Sequence, residues 1–305
     1  MELNLLLTLL LRAAGLEAHP ALMSTKKHGL VSKVYPVRTQ FNHVLAAVKI
    51  NGRYQLLDAI DPFRPYDVLP AEDLNELALL LHKKPKAKWI KIRTPPKSRR
   101  VLTVNIDYRQ EKSIQGDVTL STSHYESIHH RRQYYRSEDK QQFVRTQMLT
   151  DERFTIDSLA VKNLNKVTAP LEISCTFKAE KEEMGSSEFI YINPYLYKDQ
   201  QHPFKSPNRQ APIDFYYAKS HLYLFNLLLP EGYMVEELPS PQKLVLSERT
   251  CMLKSSARVD GNQVQVVLEL SFNDSFFPVK EYQALRQLFD AYISKQEQQI
   301  VLKKT

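Results

Sequence analysis

FNHVLAAVKINGRYQLLDAI, residues 41–60, is the stretch that decides the fold of the first part of the chain. Its two strand-like runs, 41–50 and 53–60, flank Asn51-Gly52. Asn-Gly between two such runs is the strongest short-range signal for a β-hairpin with a type I′ turn. Because a loop of two residues places residue 50 opposite residue 53, it fixes which side chains share a face.

This register predicts that His43 and Asp58 lie side by side. Asp58 faces Leu45, so His43 is its diagonal neighbour, with backbones about 7–8 Å apart and side chains within reach of each other. Both faces of the hairpin are largely apolar, and the pair is therefore partly desolvated. A carboxylate that orients an imidazole is what general-base catalysis uses. The other interpretation is a buried His–Asp hydrogen bond that serves only the fold.

The glycines exclude nucleotide-binding loops. The chain has 305 residues and seven glycines, and the closest two, Gly15 and Gly29, are 14 residues apart. Dinucleotide fingerprints and Walker loops need glycines about two to five positions apart. With 43% hydrophobic and 25% charged residues, the composition is that of an ordinary globular protein. We expect neither a cofactor nor a metal site.

The net charge of +8 is concentrated in one segment. Nine basic residues and no acidic residue lie between Lys83 and Arg100, and the rest of the chain is close to neutral. A single aromatic residue, Trp89, lies among them, whereas a base-stacking surface interleaves several. We therefore expect no nucleic-acid partner, and a solvated connection between domains is the simpler interpretation. The alternative is contact with an anionic envelope polymer. The candidate residues for that contact are Lys83, Lys84, Lys86 and Lys88.

The first residues predict a buried helix. Leucines between positions 3 and 11 surround nearly the whole helical wheel, which is typical of a helix buried on all sides. Such a helix has nothing before it to pack against, so we expect that an element which normally precedes it is missing. No apolar run reaches the roughly 20 residues that span a bilayer. Glu2 and Arg12 argue against a signal peptide.

The pattern along the chain predicts three domains. Residues 1–92 form an α+β unit, with helical content again at 71–81. Residues 93–188 form a β-rich middle domain with a helical insertion over 124–148. Residues 189–305 form a β-sandwich-like domain, and apolar residues spaced by three and four after Val279 predict its C-terminal helix.

The first unit resembles the transglutaminase-like superfamily. In that family a Cys at the start of a buried helix precedes a strand, then a strand with His, then a strand with Asp. The resemblance implies a partial papain-like α+β fold, with His43 as general base, Asp58 as the residue that orients it, and Asn42 as a possible binding residue of the same motif. The similar runs are LNLLLTLLLRAAGLEAHPALMST, FNHVLAAVKI and YQLLDAIDP.

The family's nucleophile has no match in this chain. It would lie just upstream of Met1, and Cys175 and Cys251 both follow Asp58, whereas the family order is Cys, His, Asp. The two cysteines are 76 residues apart and form no metal-binding motif, and either two thiols or a disulfide fits the sequence. The resemblance implies thiol acyl transfer or hydrolysis on a protein or peptide substrate. We expect this chain alone to be inactive, as a truncated or degenerate member.

The C-terminal half resembles a known architecture of unknown activity. It is similar to β-rich regions that accompany a transglutaminase-like core in bacterial, especially Bacteroidetes, proteins. The resemblance implies a periplasmic or secreted protein. The alternative function is a non-catalytic envelope-binding or scaffold protein that uses its β-rich domains. The similar runs are NPYLYKDQQHPFKSPNR, LPEGYMVEELPSP and FFPVKEYQALRQLFDAY.

Overall fold

The computed structural model describes residues 1–82, 87–110, 112–180, 188–198, 202–246 and 250–305. These residues divide into two compact units, Met1–Pro96 and Lys97–Thr305. The division lies close to the boundary predicted after residue 92. No division of the structure coincides with the boundary predicted after residue 188.

The first unit is an antiparallel sheet with one α-helix among its described residues. Its elements are α1 (Glu2–Ala13), β1 (Ala18–Met23), β2 (His43–Ile50), β3 (Arg53–Leu57), β4 (Leu77–Leu80) and β5 (Lys88–Lys91). The strand order is β3-β2-β1-β4-β5. The predicted hairpin is confirmed, because Ile50 pairs with Arg53 and the φ angles of Asn51 and Gly52 are 51° and 78°, as a type I′ turn requires.

The prediction that the first helix is buried on all sides is wrong. α1 packs on β1 and β2 and buries two polar side chains, Asn4 and Thr8, whereas Leu9 and Leu10 are each 59% exposed. The spacing of four places Asn4 and Thr8 on one face of the helix. Burial of these polar groups is possible because each has hydrogen bonds: the Thr8 hydroxyl donates to the Asn4 carbonyl at 2.8 Å, and Asn4 bonds to the sheet.

The prediction of an α+β papain-like unit is also wrong, because the chain is mostly β. The helix predicted over 71–81 is a short 3₁₀ turn, Ala71–Asp73, followed by the strand β4. A short apolar run such as LALL fits a helix or a strand equally well by periodicity. Pairing with β1 and β5 decides between them here.

The second unit holds the remaining strands and three α-helices of the described chain. Its α-helices are α2 (His124–Arg136), α3 (Lys140–Gln147) and α4 (Tyr282–Lys295), in agreement with the predicted helical insertion and C-terminal helix. None of the helices in the described ranges is long and apolar enough to cross a membrane. The strands are β6 (Ser98–Asp107), β7 (Ser113–Thr122), β8 (Thr155–Lys162), β9 (Leu171–Glu180), β10 (Phe189–Ile192), β11 (Ile213–Asp214), β12 (Lys219–Leu228), β13 (Tyr233–Glu237), β14 (Gln242–Val245), β15 (Cys251–Asp260), β16 (Gln263–Phe272), β17 (Phe276–Phe277) and β18 (Ile300–Lys304).

One large sheet replaces the β-rich middle domain and the sandwich-like C-terminal domain that the sequence predicted. Eight strands follow the order β14-β15-β16-β12-β6-β7-β9-β8, and β12 pairs in parallel with β6 at its centre. Strands from both predicted domains therefore share one sheet. A parallel pair between segments more than a hundred residues apart leaves no turn signal in the sequence. One hydrophobic core lies on the inner face of this sheet, where α4 and the smaller sheet β10-β18-β13 cover it.

Candidate functional site

The hairpin brings His43 and Asp58 together. His43 is the first residue of β2, and Asp58 directly follows β3. His43 Nε2 lies 3.0 Å from Asp58 Oδ2. The Asp58 side chain is fully buried and that of His43 is 12% exposed. The site is thus a largely desolvated imidazole–carboxylate pair in which a small part of the imidazole is exposed to solvent.

Three further donors hold the Asp58 carboxylate. Asn4 Nδ2 donates to Oδ2 at 2.8 Å, while the Ile60 N–H and Arg64 Nη1 donate to Oδ1 at 3.1 and 3.0 Å. Burial acts to raise the pKa of Asp58, but the hydrogen bonds from His43, Asn4 and Ile60 and the charge of Arg64 outweigh it and lower the pKa. Asp58 is therefore an anion in a fixed orientation.

Asn4 links α1 to this site, and sequence reasoning missed it. Its side chain is fully buried. Besides the bond to Asp58, Nδ2 donates to the Val44 carbonyl at 2.8 Å, and Oδ1 accepts the Ala59 N–H at 2.8 Å. The signal that could have found it is a lone amide inside a run of leucines, since a buried polar group in such a helix needs specific partners.

Asp73 is a second carboxylate that sequence reasoning missed. It ends the 3₁₀ turn before β4, is only 2% exposed, and places Oδ2 3.4 Å from His43 Nε2. Within the described part of the chain, that oxygen has no partner with hydrogen-bond geometry. Burial, together with repulsion from Asp58, raises the pKa of Asp73 to about 6, although the charge of His43 acts in the opposite direction. Two carboxylates therefore face the same ring nitrogen.

These neighbours determine the protonation of His43. The hydrogen bond with Asp58 raises its pKa above the ordinary 6.5, and the charge of Asp73 acts in the same direction against the effect of burial. Nε2 is the nitrogen that both carboxylates face, so its proton is retained when the ring is neutral. Nδ1 has no hydrogen bond to any described residue, and it is therefore the nitrogen that can exchange a proton with a reacting group.

The same three side chains could approach a metal ion, but they fit one poorly. His43, Asp58 and Asp73 each offer a ligand atom, and these atoms lie within 4.8 Å of one another. The Asp58 carboxylate already accepts four hydrogen bonds, one of them from the Arg64 cation. A metal ion would have to displace the Nε2 proton beside that positive charge. The donor set fits proton transfer better than a resident metal.

The other residues singled out in the sequence lie elsewhere. Asn42 bonds to Thr25, with Nδ2 donating to Oγ1 at 3.0 Å and Oδ1 accepting the Thr25 N–H at 2.9 Å. No hydrogen bond among the described residues joins Asn42 to the His43 site. Lys88 lies on β5, with Nζ 4.5 Å from the centre of the Tyr54 ring. The remaining candidates for an anionic surface lie outside the described residues. These are Lys83, Lys84 and Lys86.

Neither cysteine is placed to act as a nucleophile. Cys175 lies on β9 and Cys251 on β15, both in the second unit and both buried as free thiols, which excludes the disulfide alternative. Burial raises the pKa of each thiol to about 12. A thiol in that state is not ionised at neutral pH and is unreactive.

Comparison with known proteins gives a partial family match. Residues 188–302 match DUF3858, a domain family of unknown function that has a solved structure. A crystal structure of a protein described as "a putative protease" from Parabacteroides distasonis is similar over 99% of this chain, with 12% identity and a TM-score of 0.49. This chain spans 43% of that protein's length. No curated protein matches the chain.

Proposed function

We propose that the His43 site is the proton-transfer part of a centre for thiol acyl transfer or peptide hydrolysis. The observation that carries the proposal is the asymmetry of the imidazole. Nε2 is held by a buried carboxylate that three further donors fix, while Nδ1 has no hydrogen bond within the described residues. An imidazole oriented through one nitrogen and open at the other is the arrangement that general acid–base catalysis requires.

The charges at the site favour a thiol over a hydroxyl as its nucleophile. The hydrogen bond with Asp58 and the charge of Asp73 raise the pKa of His43, which favours the protonated ring over the neutral one. A protonated imidazole cannot take a proton from a hydroxyl group. It does stabilise a neighbouring thiolate, which attacks the substrate carbonyl, and its Nδ1 proton then passes to the leaving amine.

The nucleophile in this proposal comes from outside residues 1–305. Both cysteines of the chain are buried in the second unit with raised pKa values, and the resemblance to transglutaminase-like proteins places the family's Cys N-terminal to the helix that carries Asn4. The chain on its own is then inactive toward a protein or peptide substrate. Location in the periplasm or outside the cell stays a prediction from the same resemblance.

The test uses the full chain extended N-terminally by any residues that its reading frame encodes ahead of residue 1. The pH dependence of alkylation of the added cysteine is followed by mass spectrometry, together with peptide hydrolysis and amine incorporation. His43→Ala is expected to move alkylation to higher pH and to abolish turnover. His28→Ala is the control, because His28 bonds to the Thr39 carbonyl at an exposed position of the same unit.

Three results would overturn the proposal. The first is an upstream sequence without cysteine, and the second is an alkylation profile that His43→Ala leaves unchanged. The third is turnover by residues 1–305 alone that is lost in His43→Ala, since the nucleophile would then lie within the chain.

A further inference from the structure

A second group of charged side chains lies in the first unit, at the opposite end of α1 from His43. They line an open depression of about 750 Å³. Arg12 comes from the last turn of α1, and the sheet contributes the other cationic or titratable donors. The donors are Arg12, His19, Lys49, His82 and Lys88.

The register of the sheet explains why these side chains meet. Lys49 on β2 pairs with Tyr54 on β3, and the Lys49 N–H donates to the carbonyl of Glu17 just before β1. The rings of His19 and His82 lie 6.4 Å apart, centre to centre. Lys88 Nζ lies 4.5 Å from the centre of the Tyr54 ring. Residues on or next to each of the five strands therefore line the same end of one face of the sheet.

The depression has an excess of positive charge. Among the described residues that line it, Glu17 is the one carboxylate. It already accepts hydrogen bonds from Lys49 Nζ at 2.7 Å and from the Tyr54 hydroxyl at 2.6 Å. These bonds lower the pKa of Glu17 to about 2. Arg12 and Lys88 have no ion pair among the described residues. The Ala18 carbonyl accepts a hydrogen bond from Arg12 Nε at 2.7 Å. This bond orients the guanidinium and does not use its two terminal amino groups.

The pKa of His19 is affected by both its burial and these charges. Burial lowers its pKa below 6.5, and the charge of Arg12 adds to that effect, with a smaller contribution from His82 in the same direction. Glu17 and the backbone at Leu81 act in the opposite direction without overcoming it. An anion in the depression would reverse the largest of these electrostatic effects.

We propose that this depression binds a phosphate group, with Arg12 and Lys88 as charged contacts and the rings of His19 and His82 beside them. A guanidinium binds phosphate through two parallel hydrogen bonds. The several oxygens of a phosphate group can also accept hydrogen bonds from donors that lie on different strands. The site lies apart from His43 and does not depend on the function proposed there. The phosphate belongs to a free small anion or to a phosphate-bearing polymer.

The experiment titrates the full chain with inorganic phosphate, pyrophosphate, long-chain polyphosphate and, as an anion without phosphate, citrate, all at constant ionic strength. Calorimetry measures binding, and NMR of the imidazole carbons follows His19 and His82. Saturable binding is expected, with a rise in the pKa of His19 in the bound state. Arg12→Gln and Lys88→Gln are each expected to weaken binding about tenfold, the usual effect of losing one charge-assisted hydrogen bond.

Matched controls separate a site from a general effect of charge. Arg53→Gln and Lys91→Gln remove exposed cations from β3 and β5 at positions whose side chains point to the opposite face. Neither change should alter the affinity. Tighter binding of polyphosphate per phosphate group would assign the site to a polymer, and equal binding of pyrophosphate would assign it to a small anion. The proposal fails if no saturable binding occurs, if citrate binds as tightly as pyrophosphate, or if the control variants weaken binding equally.

Discussion

Replacing Asn4 with leucine is expected to destabilise the first unit strongly, although the side-chain volume barely changes. The substitution removes a donor from the Val44 carbonyl and from the Asp58 carboxylate, and an acceptor from the Ala59 N–H. A buried neutral hydrogen bond contributes about 1 kcal/mol, and a bond to a charged group about 2 kcal/mol. The loss is therefore about 4 kcal/mol of unfolding free energy.

Tryptophan fluorescence measures this loss selectively. Trp89 is the one tryptophan of the chain and lies on β5, so its emission during urea denaturation follows the first unit. With a urea dependence of about 1.5 kcal/mol/M, the midpoint is expected to fall by about 2–3 M. The measurement uses the full chain and needs no dissection of the two units.

Thr8→Val provides the matched control. Thr8 is buried on the same face of α1, but the one hydrogen bond that its hydroxyl makes with described residues goes to the Asn4 carbonyl within the helix. Its loss costs about 1 kcal/mol or less. If the Asn4→Leu midpoint falls no further than the Thr8→Val midpoint, the hydrogen bonds of Asn4 to Val44, Asp58 and Ala59 do not stabilise the first unit.

Three other substitutions or treatments have defined outcomes. Burial raises the pKa of Asp73 from 3.8 to about 6, so the stability that its protonated form contributes is lost as the pH rises through about 6. Asp73→Asn should remove that loss and stabilise the first unit at neutral pH. Urea midpoints that change with pH in the same way in Asp73→Asn and in the wild type would contradict this. Cys175 and Cys251 should resist iodoacetamide in the native chain and react in urea, as read by mass spectrometry, and native labelling would refute their inert character. Gly116→Ala should destabilise the large sheet by about 1–3 kcal/mol, because a Cβ there would lie 2.4 Å from the Asn105 carbonyl oxygen. An unchanged unfolding curve by circular dichroism would refute this, because it would mean that the neighbouring strands make room for the methyl group at no cost.

Local turn chemistry made the central part of the site predictable. Asn51-Gly52 fixes the hairpin register, and that register is sufficient to bring His43 to Asp58. Asn4 and Asp73 were not predictable in the same way. Each reaches the pair through a contact between elements far apart in sequence, and no periodicity of the chain encodes which residue will face the ring.

The fold was harder to predict than the hairpin for a related reason. A helical wheel shows where apolar residues lie on a helix, but it contains no information about the hydrogen-bond partners that the sheet provides. It therefore could not show that α1 would bury Asn4 in preference to Leu9. The pairing of β6 with β12 is likewise a contact between distant strands. Alternation identifies each strand separately but does not identify its neighbour in the sheet.

That central pairing has a consequence for how the protein can be divided. The segment that matches DUF3858, residues 188–302, includes β12 but not β6, so the family boundary passes between two neighbouring strands of one sheet. A fragment produced from the match alone would expose the whole ten-residue edge of β12, with its unpaired amides and carbonyls, to other copies of itself. The region that sequence comparison isolates is only part of one sheet in this chain, and the compact unit that contains the whole sheet begins at Lys97.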